Sequence, residues 1–310
     1  MTEPEQADRD LGFGSRVSQQ SRTRFLNRDG SFNVVRRGLG FFRSQNTYHW
    51  LLTISWTKFF LLIAASYFVA NILFAVGYML CGPDALHGFQ EYETGQMFLD
   101  EFFFSVQTLA TIGYGRLSPA NMAANILVTV EALVGLLGFA MATGLLFARF
   151  SRPSARIIFS KNALVSPFRG GTALMFRIAN ERSNQLIEVT PTVTLSRLEQ
   201  RHGALVREFH TLRLEREKVT FLPLHWVIVH SIDAQSPLHG VSKEQFESSD
   251  AEILILLTAT DETFSQTVHA RTSYKHNEVV WGAKFSDIFL PVDDGKMSID
   301  MRRIDEFEKV

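Results

Sequence analysis

Hydrophobic residues are concentrated in two long segments in the first half of the chain. Residues 59–81 contain no charged side chain, and residues 123–147 contain a single ionisable one, Glu131. As a helix, the first segment would cover roughly 34 Å, which is enough to cross a hydrocarbon layer of about 30 Å. Core helices of soluble proteins seldom reach this length without a charge. The pattern therefore predicts two membrane-spanning helices.

The pattern changes in the stretch 154–310. Short runs rich in β-branched and apolar residues, such as 172–180 and 252–260, are separated there by clusters of Gly, Pro, Asp and Asn. Runs of this length and spacing predict a β-sandwich, and no alternating helical pattern indicates an α/β nucleotide-binding domain. Residues 1–32 have few apolar side chains to bury, so they are predicted to form a flexible tail.

Basic residues lie on the outer flanks of the two predicted spans. Those before the first span and after the second include Arg36, Arg37, Arg149, Arg152 and Arg156. The connecting residues 82–122 contain a single Lys or Arg, Arg116. The positive-inside rule then places both termini in the cytoplasm. Residues 47–58 mix Trp and Tyr with polar positions, which predicts a helix lying at the membrane surface before the first span.

The segment between the spans is too apolar for a simple extracellular loop. Residues 98–110 predict a half-length helix, which is followed directly by Thr111, Ile112, Gly113, Tyr114 and Gly115. The two glycines allow successive carbonyl groups to point to one side of the strand. Four chains around an axis would stack carbonyl rings from Thr111 to Tyr114, and such rings replace the water shell of K⁺. The motif predicts a re-entrant potassium-channel pore over 98–115, built as a homotetramer.

Composition and motifs exclude several other classes of protein. The formal net charge is −1, whereas a nucleic-acid-binding protein would usually show a basic excess. Cys81 is the only cysteine, which excludes an intrachain disulfide framework and a four-cysteine zinc site. The chain contains no HExxH, Walker, GxGxxG or GxSxG motif. We therefore expect neither enzyme activity nor a cofactor, with K⁺ as the permeant ion.

Beyond the pore, the chain resembles the inward-rectifier potassium channels, most closely their prokaryotic branch. The stretches that carry the resemblance are FARFSRP at 147–153, HSIDAQSPLHG at 230–240 and ARTSYKHNEVVWGAKFSD at 270–287. The resemblance implies a pore domain at 33–153 and an immunoglobulin-like β-sandwich that tetramerises in the cytoplasm and extends the conduction path. It also implies a bacterial plasma-membrane protein.

The resemblance implies roles for single residues along the path. The gate would lie where the second spans converge, with Phe139, Thr143 and Phe147 facing the pore at spacings of four residues. A ring of four Phe147 side chains would close the path by dewetting. Glu188 and Glu262 match acids of the cytoplasmic path, with solvated surface charge as the alternative interpretation. Phe139 stands where strongly rectifying relatives carry an acid, so only weak block by Mg²⁺ or polyamines is expected.

The basic flanks are also implied to contact lipid. In the family, the matching junction senses phosphoinositides, and each juxtamembrane base gains about 1 kcal/mol near anionic lipid. The resemblance therefore implies binding of anionic phospholipids or phosphoinositides by Arg36, Arg37, Arg149, Arg152 and Arg156. In the alternative interpretation, these residues only set the topology.

Departures from the family leave two residues with open roles. Gln107 and Leu117 stand where animal members carry a glutamate and an arginine that buttress the filter, so that ion pair should be absent. Arg116 either compensates for it or simply faces water. Glu131 either acts as a charge behind the filter or makes a hydrogen bond to the pore helix with a packing role only.

Two further functions compete with a conducting potassium channel. One is a membrane-anchored lipid or ligand sensor whose pore no longer conducts, and the other is a poorly selective cation channel. A decayed pore should lose its glycines first, and a poorly selective pore would more often replace Tyr114 or Gly115. The intact motif argues against both.

Overall fold

The chain divides into two compact units. The structure, a computed structural model, describes residues 23–34, 47–88, 94–151, 155–182, 184–201, 203–222, 224–293 and 296–310. One unit comprises residues 37–152, and the other comprises residues 1–36 together with 153–310. We call them the helical unit and the β unit. The division falls beside the expected boundary between residues 153 and 154.

The described residues of the helical unit form four helices and a short strand pair. These are α1 (Thr47–Thr53), α2 (Trp56–Leu80), β1 (Leu86–His87), α3 (Thr94–Leu109), β2 (Ser118–Pro119) and α4 (Met122–Phe150). Helices α2 and α4 are long and apolar enough to cross a membrane. Both begin slightly earlier than the predicted spans, and α4 continues three residues further. The two predicted spans thus correspond to two helices of matching length.

A helix boundary separates α1 from α2. The Ser55 hydroxyl caps α2 by accepting a hydrogen bond from the backbone N–H of Lys58 at 3.4 Å. A side chain of this type at an N-cap satisfies one of the free N–H groups of the first turn. The surface helix predicted over residues 47–58 therefore ends at Thr53, and its last residues belong to α2.

Helix α3 packs against both α2 and α4. A buried cluster at these contacts consists of Tyr78, Ala85, Leu86, Phe104, Leu117 and Ala124. Gly135 of α4 lies so close to the end of α3 that an added Cβ would stand 2.5 Å from the carbonyl oxygen of Leu109. Only a residue without a side chain fits this contact, so Gly135 sets how near α4 approaches the end of α3.

The β unit is a sandwich of two five-stranded sheets, which confirms the predicted β-sandwich. One sheet has the order β11-β10-β6-β7 with β8 paired to β6, and the other has the order β12-β4-β5-β3 with β9 paired to β5. The strands of the first are β6 (Leu186–Arg201), β7 (Ala204–Thr211), β8 (Val219–Phe221), β10 (Glu252–Asp261) and β11 (Gln266–Lys275). Those of the second are β3 (Ile157–Phe159), β4 (Ala163–Phe168), β5 (Gly171–Asn180), β9 (His225–Ile232) and β12 (Val279–Trp281).

Alternating apolar positions of these strands form one core. It includes Leu174, Phe176 and Ile178 of β5, with Ile253, Ile255 and Leu257 of β10. The period of two places such residues on one face of each strand. The remaining elements are α5 (Lys243–Ser248), β13 (Ala283–Phe285), β14 (Phe289–Asp293), β15 (Lys296–Ile299), β16 (Phe307–Lys309) and two 3₁₀ turns, His276–Glu278 and Met301–Arg303.

Residues 23–34 pack on the β unit and form what we call the N-terminal strap. Phe25 and Leu26 are buried, and their backbone N–H groups donate to the carboxylate of Glu252 at 3.1 and 3.4 Å. The flexible tail predicted over residues 1–32 is therefore wrong for its last ten residues, because two buried apolar side chains, together with ion pairs from Arg24 and Arg28 to Glu278, attach them to the β unit. The earlier residues lie outside the described part of the chain.

Candidate ion-conduction site

The strand that follows α3 has an alternating backbone. Thr111, Gly113 and Gly115 have φ values of +55°, +61° and +79°, whereas Ile112 and Tyr114 do not have positive φ. When consecutive residues alternate between left-handed and right-handed backbone conformations, their N–H groups point to the same side of the chain. A Cβ at Gly113 would meet no atom within 4 Å, so the backbone angle, and not lack of space, favours glycine there.

Hydrogen bonds show which way this strand faces. The N–H groups of two consecutive residues, Ile112 and Gly113, both donate to the carbonyl oxygen of Gln107, at 2.7 and 3.4 Å. In an ordinary extended strand, consecutive N–H groups point in opposite directions. Here both point back toward α3, so the carbonyl groups are left to point away from it. A row of carbonyl oxygens is a suitable set of ligands for a dehydrated cation.

Glu131 of α4 is buried and joins three helices. Its carboxylate accepts hydrogen bonds from the hydroxyls of Tyr78 on α2 and Ser105 on α3, each at 2.5 Å. The Ser105 hydroxyl also lies 3.0 Å from the side-chain oxygen of Asn71, whose amide donates to the carbonyl of Tyr67 at 2.8 Å. The structure therefore contains the hydrogen bond to α3 that one of the two interpretations of Glu131 requires.

Gln107, Leu117 and Arg116 flank the strand 111–115 in the sequence. Gln107 contributes its backbone carbonyl to the strand, and Leu117 is buried in the cluster around Tyr78. Arg116, directly after the strand, forms an ion pair with Asp100 of α3. The structure thus gives Arg116 a partner, although its side chain is still more than half exposed.

The expected gate residues lie along α4. Phe139, Thr143 and Phe147 are all exposed in the single chain, with Phe139 at 76% and Phe147 at 72%. Their spacing places them along one side of the helix. Large apolar side chains exposed in this way need either lipid or another protein chain to cover them.

Arg149 makes contacts that the sequence did not indicate. Its guanidinium donates to the carbonyl oxygens of Leu51 and Ile54, at 2.5 and 2.6 Å, at the end of α1. It also lies 4.5 Å from the ring centroids of both Trp56 and Phe59. A cation at a helix C-terminus satisfies carbonyl groups that have no partner within the helix. Both terminal nitrogens of the Arg149 guanidinium therefore donate to protein carbonyl groups.

The other expected site residues are scattered. Glu188 of β6 has a φ of +57° at a bulge and pairs with Lys218, while Glu262 is exposed in the turn between β10 and β11. Arg156 is exposed at the start of the β unit. The remaining members of the predicted lipid-contacting set, Arg36, Arg37 and Arg152, lie outside the described residues.

Sequence reasoning missed the partners of the polar groups in the helical unit. Ser105, Tyr78 and Asp100 were not expected to contact Glu131 or Arg116. Their one signal is that each is a polar side chain within or beside an apolar helix, where the bilayer makes an unpaired polar group costly. That signal identifies residues in need of a partner but does not say which residue the partner is.

Known families match both units. A model described as the inward rectifier potassium channel C-terminal domain matches residues 157–310, and one described as ion channel matches residues 68–152. The inward rectifier potassium channel Kirbac3.1 of Paramagnetospirillum magnetotacticum is 44% identical over 287 residues, covering 91% of this chain and 95% of that protein.

Human proteins are similar at lower identity. The ATP-sensitive inward rectifier potassium channel 11 of Homo sapiens is 28% identical over 316 residues, covering 94% of this chain and 80% of that protein. The inward rectifier potassium channel 4 of Homo sapiens is 34% identical over 206 residues, covering 62% of this chain and 45% of that protein. The similarity therefore extends through the helical unit and the β unit alike.

Proposed function

The chain belongs to the inward-rectifier potassium channel family, and on that premise we propose that four copies form a K⁺-selective pore. K⁺ would be held by the carbonyl groups of Thr111, Ile112, Gly113 and Tyr114. The observation that supports this most directly is the pair of consecutive N–H groups that donate to Gln107, since it leaves the carbonyls on the opposite side. Each copy supplies one such strand, so a closed ring of ligands requires several.

We place the gate on α4. Phe139, Thr143 and Phe147 are exposed on one side of the helix, and four Phe147 side chains would close the path by excluding water. Phe139 carries no charge, so block by Mg²⁺ or polyamines is weak. Glu188 and Glu262 would contribute negative charge to the path through the β unit. Both termini would lie in the cytoplasm of a bacterial cell.

Anionic lipids, including phosphoinositides, would modulate the channel through its basic flanks. Arg156 supports this because its side chain is exposed. Arg149 is a weaker candidate than its sequence position indicates, because the carbonyls of Leu51 and Ile54 occupy its guanidinium. We therefore assign Arg149 to holding α1 against the end of α4, and Arg156, Arg36, Arg37 and Arg152 to lipid contact.

The test is uptake of ⁸⁶Rb⁺ into liposomes that contain the purified protein. We expect uptake that Ba²⁺ blocks and that excess Na⁺ does not compete with, from a protein that runs as a tetramer by size and crosslinking. A Gly113→Asp variant should assemble but not conduct, because the side chain and the lost glycine both disrupt the strand. Uptake that Na⁺ reduces strongly would instead indicate a poorly selective cation channel.

Modulation by lipid is tested with the same liposome assay. Uptake is compared in neutral lipid, in lipid with phosphatidylglycerol and in lipid with a phosphoinositide, for the natural protein and an Arg156→Gln variant. A change of uptake that the variant reduces supports lipid modulation. An intact tetramer that takes up no Rb⁺ in any lipid would favour the non-conducting sensor.

A further inference from the structure

An ion pair lies at the end of the conducting strand, and the proposed function does not use it. Arg116 follows Gly115 directly, and its guanidinium contacts the carboxylate of Asp100. Asp100 belongs to the first half of α3, the half further from the strand along the helix. The pair therefore connects the end of the strand to the first half of its supporting helix.

The backbone of Arg116 is held in place on both sides. Leu117, the next residue, is buried in the cluster around Tyr78, and the following residues pair as β2 with β1. A Cβ on Gly88 would collide with the carbonyl oxygen of Arg116, so these two backbones are in close contact. With its backbone fixed, Arg116 presents its charge beside the strand. Its side chain is 59% exposed, against 19% for Asp100.

The sign of this charge matters for cation entry. Arg116 is the only Lys or Arg among residues 82–122, so it is the one fixed positive charge near that end of the strand. In the fourfold pore of the proposed function, on which this inference rests, four such charges would surround one entrance. A ring of like charge at a narrow entrance lowers the local concentration of permeant cations. Neutralising each one with a carboxylate removes that barrier.

We propose that Asp100 is a determinant of K⁺ entry, because it neutralises Arg116 at the outer mouth of the pore. The competing interpretation is that the pair only braces the strand. The electrostatic and the structural interpretation predict different responses to charge and to salt. An electrostatic effect depends on the net charge of the two positions and is screened by salt, whereas a brace depends on the contact itself and is not.

The experiment records single channels of the full-length protein in planar bilayers. It measures inward K⁺ conductance and the on-rate of external Ba²⁺ block for the natural protein, Asp100→Asn, Arg116→Gln and the double variant. Recordings are made at ionic strengths of about 0.01 M and about 1 M, where the screening lengths are about 30 and 3 Å. Asp84→Asn is the matched control, because Asp84 is an exposed acid of the same connecting segment with no ion pair among the described residues.

We expect Asp100→Asn to lower the Ba²⁺ on-rate and the conductance about threefold or more at low ionic strength, since it exposes four positive charges. Arg116→Gln should raise both, the double variant should match the natural protein within about twofold, and all should converge at high ionic strength. The control should change little. If Asp100→Asn fails to assemble, Arg116→Gln and the double variant still carry the test.

Two results would overturn the proposal. If both single variants lower conductance and the double variant does not restore it, or if the effects persist at high ionic strength, the pair is only a brace. A natural protein that passes no Ba²⁺-sensitive current would overturn the proposed function as well. The two failures are thus distinguished by whether the natural protein conducts.

Discussion

Acidic side chains in the two units have different kinds of partner. In the β unit, Asp250 lies between two bases, with its carboxylate 2.5 Å from Arg207 and 2.8 Å from Lys275. Burial would raise the pKa of Asp250, but hydrogen bonds from Lys275 and Arg207 bring it below its usual value. In the helical unit, Glu131 accepts hydrogen bonds from two hydroxyls, and no described residue forms an ion pair with it.

This difference follows from what surrounds each unit. A charged partner within the bilayer would itself have to lose its water shell, which costs free energy. Hydroxyl groups satisfy Glu131 at a lower desolvation cost. In the β unit, a pair of opposite charges offsets much of the cost of burying each one. The lesson is that a neutral amide could replace the carboxylate in the helical unit but not in the β unit.

Asp250→Asn should give the largest effect, because it removes the carboxylate that pairs with the buried Arg207. Breaking a buried ion pair costs about 3 kcal/mol or more. We expect the free energy of unfolding of the β unit to fall by that amount in denaturant titrations followed by tryptophan fluorescence. Glu217→Gln, at an exposed acid of the same unit, should change it little. Equal stability of the two variants would remove the contrast between the units.

Gly135→Ala should have the next largest effect, on the helical unit. The added methyl group would press on the carbonyl of Leu109 and move the end of α3. The strand 111–115 is hydrogen-bonded to that end of the helix. Overpacking of this kind typically costs about 1–3 kcal/mol, and we expect at least a tenfold loss of ⁸⁶Rb⁺ uptake. Gly138→Ala is the matched control, since a Cβ there meets no atom within 4 Å. Similar losses in both would mean that helix flexibility, and not the contact, matters.

His230 should make the stability of the β unit depend on pH. Burial lowers the pKa of His230, whose ring contacts the carbonyl of Arg213 at 2.6 Å and the hydroxyl of Ser236 at 2.7 Å. The unfolded chain therefore binds a proton more readily, and the free energy of unfolding falls as the pH drops below about 6.5. We expect a loss of about 1 kcal/mol per pH unit at most, measured by thermal unfolding.

The matched pair of variants for this effect is His230→Gln and His239→Gln. The first should flatten the pH dependence between neutral and mildly acidic conditions, whereas the second, at an exposed histidine, should leave it unchanged. A slope that both variants share with the natural protein would assign the pH dependence to other groups, such as the half-buried His225, whose pKa is also lowered by burial.

Glu131→Gln should give the smallest effect. The amide oxygen still accepts one hydroxyl hydrogen bond, so we expect the free energy of unfolding of the helical unit to fall by about 1 kcal/mol or less. Glu131→Leu removes both acceptors of the Ser105 and Tyr78 hydroxyls, so it should lower the stability of the protein more strongly on heating in detergent. A Gln variant as damaged as the Leu variant would show that the negative charge itself is needed.

The fold was largely predictable because its strongest signals are long. Two uninterrupted apolar segments predicted both long helices, and runs rich in β-branched residues predicted the β-sandwich. Two boundaries were wrong for short-range reasons. Ser55 caps α2 and shortens the surface helix, and Phe25 with Leu26 attaches a segment whose average composition is polar. Composition averaged over thirty residues cannot detect two anchoring side chains.

The strand 111–115 was recognisable from its five consecutive residues, whereas the residues that support it were not. Glu131 and Ser105 are 26 positions apart, and Asp100 and Arg116 are 16 apart. Such pairs depend on how the helices pack, which a pattern within one segment does not contain. Arg149 was assigned to lipid for a similar reason: its charge was visible in the sequence, but the two carbonyls that occupy it belong to another helix.

Arg149 has a mechanical consequence. A single guanidinium joins the last carbonyls of α1 to the final turn of α4, two residues beyond Phe147, and two aromatic rings brace it. This contact opposes movement of the two helices in both directions, because the hydrogen bonds resist their separation and the aromatic rings resist their closer approach. A displacement of α1 would therefore be passed on to the end of α4. The arginine thus couples the position of the short helix to that of the last turn of the long one.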